Sequence, residues 1–199
     1  MHLSYAWLSE LVPSGLSAKD LAEKLTHAGC AVEEVREVAD DTQLVAEVTT
    51  NRPDWLCHWG IAREIAALTG TPVRLPEWTL VASGPPVSTL TRVDVAEADL
   101  CPRYTARVIQ GVTIGPSPAW LQKRLEAAGL RAINNVVDVT NYVLLEMNQP
   151  LHAFDQDLLQ EKRIVVRRAR KGEFLAAIDG TRCQLADGML VIADAQRPV

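Results

Sequence analysis

The chain has 199 residues, 20 Lys/Arg against 25 Asp/Glu, and a formal net charge of −5. Its 48% hydrophobic content allows an ordinary buried core, which excludes disorder as the default, and its length suits one large domain or two small ones. No apolar run approaches the roughly 18 to 20 residues of a membrane span, and the opening MHLSYAWLSELV lacks a basic start and carries Glu10 within its apolar stretch, unlike a signal peptide.

Charge is unevenly divided: residues 1–99 carry a balance of −8 and residues 100–199 one of +3. The acidic half is a poor nucleic-acid surface, because affinity for phosphate comes from local cationic charge. The run Lys162 to Lys171 is where the second half offers a phosphate backbone a cationic surface. The cysteines at 30, 57, 101 and 183 form no CxxC pair, so neither a zinc site nor a redox dithiol is indicated. They read as free thiols in a reducing compartment, hence a cytoplasmic location.

In chain order, Tyr5, Trp7, Leu8 and Leu11 make a short amphipathic stretch closed by Pro13 and Gly15. Ser17 has the character of an N-cap for a helix carrying Leu21, Ala22 and Leu25 and stopping at Gly29. AVEEVREV (31–38) alternates weakly and LVAEVT (44–49) more clearly, so both are expected strands. The turn TNRPD, with Asp54 expected as a cap, leads into a helix with Trp55, Trp59, Ala62, Ile65 and Ala66 at helical spacing, ended by Gly70 and Pro72. Residues 1–80 thus read as a helix-rich N-terminal α+β domain, and the Gly-Pro-Pro break places a linker at 81–90.

The second block, 91–199, begins with strand TRVDV (91–95) and an expected second strand, YTARVIQGV (104–112). Ser117 before Pro118 predicts an N-cap with proline at the first helical position; that helix carries Trp120, Leu121, Leu125 and Ala128 and closes at Gly129. A further helix is expected over Val136 to Glu146. Strand RIVVRRA, a hairpin around Asp179-Gly180 and strand MLVIA follow. The fold class is α+β, with an incomplete mixed-sheet second domain. The end at Val199, directly after an apolar strand, reads as a cut through a domain, and an unpaired edge strand would favour self-association.

The most informative stretch is INNVVDVTNYVLLEMNQPLHAFD (133–155). Its β-branched residues oppose helix formation, and its amides and hydroxyls need partners if buried, which a polar-lined cavity would supply through a ligand. His152 follows the stiff Pro150, although a lone histidine is most often a satisfied, partly buried core residue. Trp55, Trp59 and Ile65 read as core, and the six cations of KRIVVRRARK as a solvated face more readily than an RNA contact. No nucleophile motif, P-loop, GxGxxG or metal-ligand spacing is present, so spacing alone assigns no enzymatic chemistry.

Three stretches in order resemble the β subunit of bacterial-type phenylalanyl-tRNA synthetase: SYAWLSELV with LSAKDLAEKLTHAGCAVEEV, then TNRPDWLCHWGIAREIAALTG, then INNVVDVTNYVLLEMNQPLHAFD with its trailing IVVRRARKGE and AIDG. The resemblance covers nearly the whole chain, and the last motif is highly specific. It implies the N-terminal part of that subunit with the first half of its editing domain. The family holoenzyme is an α2β2 class II ligase that charges tRNA with phenylalanine using ATP and Mg²⁺. Its partners are the α subunit and tRNA, with no membrane and no cofactor in this chain. An apolar pocket rejects an added hydroxyl only about 100-fold, so a second, hydrolytic site for tyrosyl-tRNA is needed. Carried over by position, Thr140, Asn141 and Pro150 would line that site and His152 would orient or polarise a water at the aminoacyl ester; the ester is already activated, so no covalent nucleophile is required. Two departures stand out. The join EEVREVADDTQLVAEV is too short for the family's inserted tRNA-binding domain, and the glutamate that recognises the tyrosine hydroxyl lies in a later part. Two alternatives stay open: a free-standing trans-editing factor completed by a dimer partner, and a non-catalytic adaptor binding protein or RNA through Trp7, Trp55 and Trp59.

Overall fold

The computed structural model describes all 199 residues. The elements in chain order are β1 (His2–Ser4), α1 (Tyr5–Leu11), α2 (Ala18–His27), β2 (Val32–Val38), β3 (Asp41–Ala46), α3 (His58–Thr69), β4 (Arg92–Val95), α4 (Ala119–Ala127), α5 (Asn135–Met147), β5 (Arg163–Arg168), β6 (Phe174–Ala176), β7 (Arg182–Gln184) and β8 (Leu190–Ala193). The class is α+β. No helix is long and apolar enough to cross a membrane. Packing divides the chain into two units that do not follow chain order: Met1–Thr79 with Thr113–Ala153, and Leu80–Val112 with Phe154–Val199.

The first unit holds all five helices, including α4 and α5, which the sequence had suggested for the second block. Its sheet is antiparallel in the order β1-β3-β2. Each early helix starts where a side chain meets an orphan backbone N–H. Ser4 Oγ accepts from Trp7 N at 3.0 Å, and Ser17 Oγ accepts from Asp20 N at 3.1 Å. Leu3, Trp7, Leu8, Leu21, Leu25, Leu44, Trp55, Ile61 and Ile65 form the core, and Tyr142 and Leu145 of α5 pack against it. Trp7 and Trp55 are 1% and 2% exposed, which removes them from any adaptor surface; Trp59 is half-buried. Strand β3 starts three residues before the expected 44–49, and β1, too short to announce itself by alternation, pairs with it.

The entry to α3 corrects the expected cap. Cys57, not Asp54, is the N-cap, its Sγ accepting from Gly60 N at 3.3 Å. Asp54 instead accepts from Arg52, whose guanidinium also reaches Glu64 at 2.8 Å and lies 3.6 Å above the Trp55 ring. This contact with Arg52 holds the Asp54 carboxyl below its ordinary range. Helix α3 ends at Gly70 in the left-handed region, φ 73°.

The second unit is a mixed sheet, β4 parallel to β5 and β5 antiparallel to β8, with the β6-β7 hairpin turning around Asp179-Gly180 as expected. Two expectations fail on this side of the sequence. Residues 104–112 form no strand and are largely exposed: period-2 alternation makes a strand only where a neighbour offers a hydrogen-bond ladder, and β4, β5 and β8 pair only with one another. At α4 the N-cap position falls on Pro118, because the Ser117 hydroxyl is taken by Asp138 at 2.5 Å.

Gly60 is the tightest point of the first unit. A Cβ there would lie 1.6 Å from the Asp54 carbonyl oxygen, a clash with backbone that no rotamer relieves. Gly60→Ala is expected to destabilise by about 3 kcal/mol or more, measured by urea unfolding; a loss under about 1 kcal/mol would mean that the Pro53–Trp55 turn yields freely.

Candidate functional site

Helix α5 and the loop that leaves it carry all four residues singled out from the sequence. The helix is rich in β-branched residues yet forms because both ends are well capped. Asn134 Oδ1 accepts from Val136 N and Val137 N, each at 3.0 Å. Asn148 closes the far end in the left-handed conformation, φ 57°, which asparagine tolerates better than most side chains. The only fully buried residue of α5 is Asp138, at 0% exposure. Its carboxyl group accepts from Ser117 Oγ and, at 2.8 Å, from Ile133 N, so the buried polar group is hydrogen-bonded as it must be. Asn135 exchanges bonds with the 113–115 segment: its side chain donates to Thr113 O and accepts from Gly115 N, and its own N–H donates to Gly115 O.

These polar groups, which seemed to ask for a ligand, are therefore scaffolding. Thr140 is half-buried, and its hydroxyl donates to Val137 O of its own helix at 2.7 Å. Tyr142 lies 4.8 Å from Trp7 in a stacked pair, donates to Glu146 at 2.8 Å and accepts from Arg124 at 3.0 Å. Burial, helped by Glu146, pushes its pKa up to about 12. Asn141, half-buried, is the one polar side chain of α5 that makes no hydrogen bond within the chain. Pro150 and His152 are exposed in the following loop, so His152 is not the partly buried core histidine that base expectation favours. Asn141 lies two turns before Asn148, the residue that ends the helix and from which the loop to His152 begins. Neither of two shallow depressions, one lined by Asp20, Glu23, Lys24, His27, Ala28 and Leu68 and the other by residues 88–92, Glu161 and Arg163, includes any of the four. No three His, Cys, Asp or Glu side chains converge as metal ligands.

A residue that sequence reasoning passed over holds this region in place. His58 is fully buried and stacked 4.1 Å from Trp7. Its Nε2 accepts from Ser4 N at 3.0 Å, which leaves the proton of a neutral ring on Nδ1, 2.9 Å from Leu145 O. Leu145 O is one of the last four carbonyls of α5, which have no partner within the helix. Burial pushes the His58 pKa down to about 4. The signal was available: His58, Ala62 and Ile65 share the buried face of α3 at helical spacing.

The basic run of the second unit is largely neutralised within the chain. Lys162 pairs with Asp157, Arg163 with Asp94 and Glu161, and Arg168 with Glu97 and Asp99. Arg167, 8% exposed, forms a two-pronged pair with Glu173 at 2.7 and 2.8 Å, which draws the Glu173 pKa down to about 2. Lys162, Arg168, Arg170 and Lys171 are exposed, so the run is largely the solvated face expected, but most of its cations are already ion-paired and it is not a strong phosphate surface.

Residues 100–199 match the B3/4 domain family. The chain is homologous to proteins named phenylalanine–tRNA ligase beta subunit. It is 57% identical to that of Moorella thermoacetica and 54% to that of Geobacter sulfurreducens, each over 159 residues, 80% of this chain and 20% of the relative. It is 46% identical to that of Rhodopirellula baltica over 195 residues, 98% of this chain and 29% of the relative. The chain thus spans between a fifth and three tenths of the length of these relatives.

The buried imidazole makes a prediction about pH. The unfolded chain takes up a proton near pH 6.5, which the folded chain refuses until about pH 4. The unfolded state therefore binds more protons across that window, and stability falls as pH drops through it. Between pH 6.5 and 5 the loss is expected to be about 2 kcal/mol, read as a shift in the urea midpoint. His58→Asn should be less stable at pH 7 and lack this slope; an equal slope in both proteins would place its origin elsewhere.

Proposed function

Since the chain belongs to the B3/4 domain family, we propose that it serves as part of a phenylalanine–tRNA ligase β subunit and contributes a wall of a hydrolytic editing pocket for mischarged tyrosyl-tRNA. Homology to β subunits supports a role in making phenylalanyl-tRNA. The observation that carries the editing reading is the placement of the four motif residues: the unpartnered Asn141 amide on α5, Thr140 beside it, and Pro150 and His152 exposed on the loop that follows the helix.

In this reading Asn141 and Thr140 hold the terminal ribose or the aminoacyl group, Pro150 stiffens the approach, and His152 accepts a proton from an attacking water. The water oxygen bonds to the ester carbonyl carbon, the ester C–O bond breaks, and the proton passes to the ribose oxygen of the departing tRNA. No nucleophilic side chain is needed, since aminoacyl esters are activated and orientation supplies much of the rate. Partners of the whole ligase, on this reading, are an α subunit carrying the aminoacylation site and tRNA, in the cytoplasm. ATP and Mg²⁺ belong to that aminoacylation step, and no step on this chain is routed through a metal ion. With most of the 162–171 run already paired, the tRNA end would be held by pocket shape and not by strong phosphate attraction.

The test is deacylation of tyrosyl-tRNA specific for phenylalanine. Assembled within a whole ligase, the chain should support hydrolysis above the spontaneous rate, His152→Ala should slow it about 100-fold, within the range for a positioned proton acceptor, and Asn141→Ala should raise KM. Equal rates for the chain and its His152→Ala variant would overturn the role of His152, and a rate no faster than spontaneous would overturn the activity of the chain.

A further inference from the structure

Two hydrogen bonds tie the TNRPDWLCHWG stretch to the end of α5. His58 Nδ1–H donates to Leu145 O at 2.9 Å, and Asn148 Nδ2 donates to Pro53 O at 3.2 Å. They flank the point where the helix gives way to the loop 149–152. Both anchors are fixed in turn. Pro53 begins a 3₁₀ turn whose Trp55 is buried in the core and carries Arg52 on its face, and His58 is pinned by Ser4 N and the Trp7 ring. Asn148 N also donates to Leu144 O, so the residue that caps the helix is held from two sides.

We infer that His58 and Asn148 are positioning residues that form a clamp fixing the exit of the Gln149–His152 loop, and with it the direction in which His152 is presented. As regards catalysis, the inference rests on the editing reading above; as regards geometry, it stands on the two bonds. The relevant chemistry is positional: a side chain that must meet an ester held elsewhere tolerates little displacement, and an error of about 1 Å can cost on the order of 100-fold. The two bonds fix where the loop leaves the helix, and a shift at that root carries every residue after it.

The decisive variant is Asn148→Gly, since glycine adopts the φ of 57° without strain and only the tie to Pro53 is lost. His58→Leu removes the other tie, and His58→Asn retains an N–H near the Nδ1 position. Amide order parameters of Leu151 and His152 are measured by NMR relaxation, together with deacylation of tyrosyl-tRNA. In the parent chain the order parameters should be near the rigid value of about 0.85, falling below about 0.6 in Asn148→Gly and His58→Leu, with α2 and β3 unchanged and His58→Asn largely restored. kcat should fall on the order of tenfold or more with KM little changed. Unaltered order parameters in Asn148→Gly would overturn the clamp, whether or not His58→Leu folds. A loop that loosens in a chain that never deacylated would uphold the clamp and sink the editing reading instead.

Discussion

A neutral imidazole has one donor and one acceptor, and at His58 both are committed to backbone. The acceptor takes Ser4 N at the junction of β1 and α1, and the donor takes Leu145 O near the end of α5. Three chain segments separated by more than fifty residues therefore meet at one ring. Protonation would turn the acceptor into a second donor facing an N–H, which is why burial and the Ser4 contact together keep the ring uncharged. The Trp7 ring beside it is shared: it stacks on His58 at 4.1 Å and on Tyr142 at 4.8 Å. Helix α5 is thus attached to the first 79 residues through aromatic faces and a capped carbonyl, more than through a conventional apolar stripe. The clamp at its exit follows from that attachment.

This attachment accounts for the composition of α5. A helix whose one fully buried residue is an aspartate gains little from its own hydrophobic face, and its β-branched residues oppose it by a few tenths of a kcal/mol each. The compensation is local and polar. Asn134 caps the start, Asp138 gathers Ser117 and Ile133, Asn135 sews in the 113–115 segment, and Asn148 turns the end. Each cap or buried bond contributes about 1 kcal/mol. What remains after this accounting is Asn141, and a half-buried amide with no internal use is where an external partner has the most to satisfy.

Much of the fold was legible because it is local. Caps at Ser17 and the stop at Gly70, the helical spacing of Leu21, Ala22 and Leu25, and the hairpin around Asp179-Gly180 are settled within a few residues of chain. The misreadings share a different origin. Residues 104–112 alternate like a strand, but a ladder needs a neighbour, and alternation says nothing of one. Ser117 looked like a cap, yet its hydroxyl is claimed by Asp138, 21 residues on. The cations of 162–171 are mostly exposed as expected, but their pairing was hidden because the partners, Asp94, Glu97, Asp99, Asp157 and Glu173, are scattered along the chain. The four candidate residues of the site are legible only through the resemblance, and His58, which holds the end of their helix, has no metal-ligand spacing and shows its role only by its place on the buried face of α3.

Two of the stretches that carry the resemblance, TNRPDWLCHWG and NNVVDVTNYV with NQPLH, are about eighty residues apart in sequence, and they are bonded neighbours in the fold. Cys57 and Gly60 serve the start of α3, and Gly60 must lack a side chain because the Asp54 carbonyl occupies its place. That close approach sets where Pro53 and His58 lie, and those two receive Asn148 and hold Leu145. A change in the first stretch would therefore be felt at the loop after the second without altering any residue that faces it. The rigidity of the Arg52–Trp55 turn, which in isolation looks like an ordinary structural feature, becomes a condition on where His152 points.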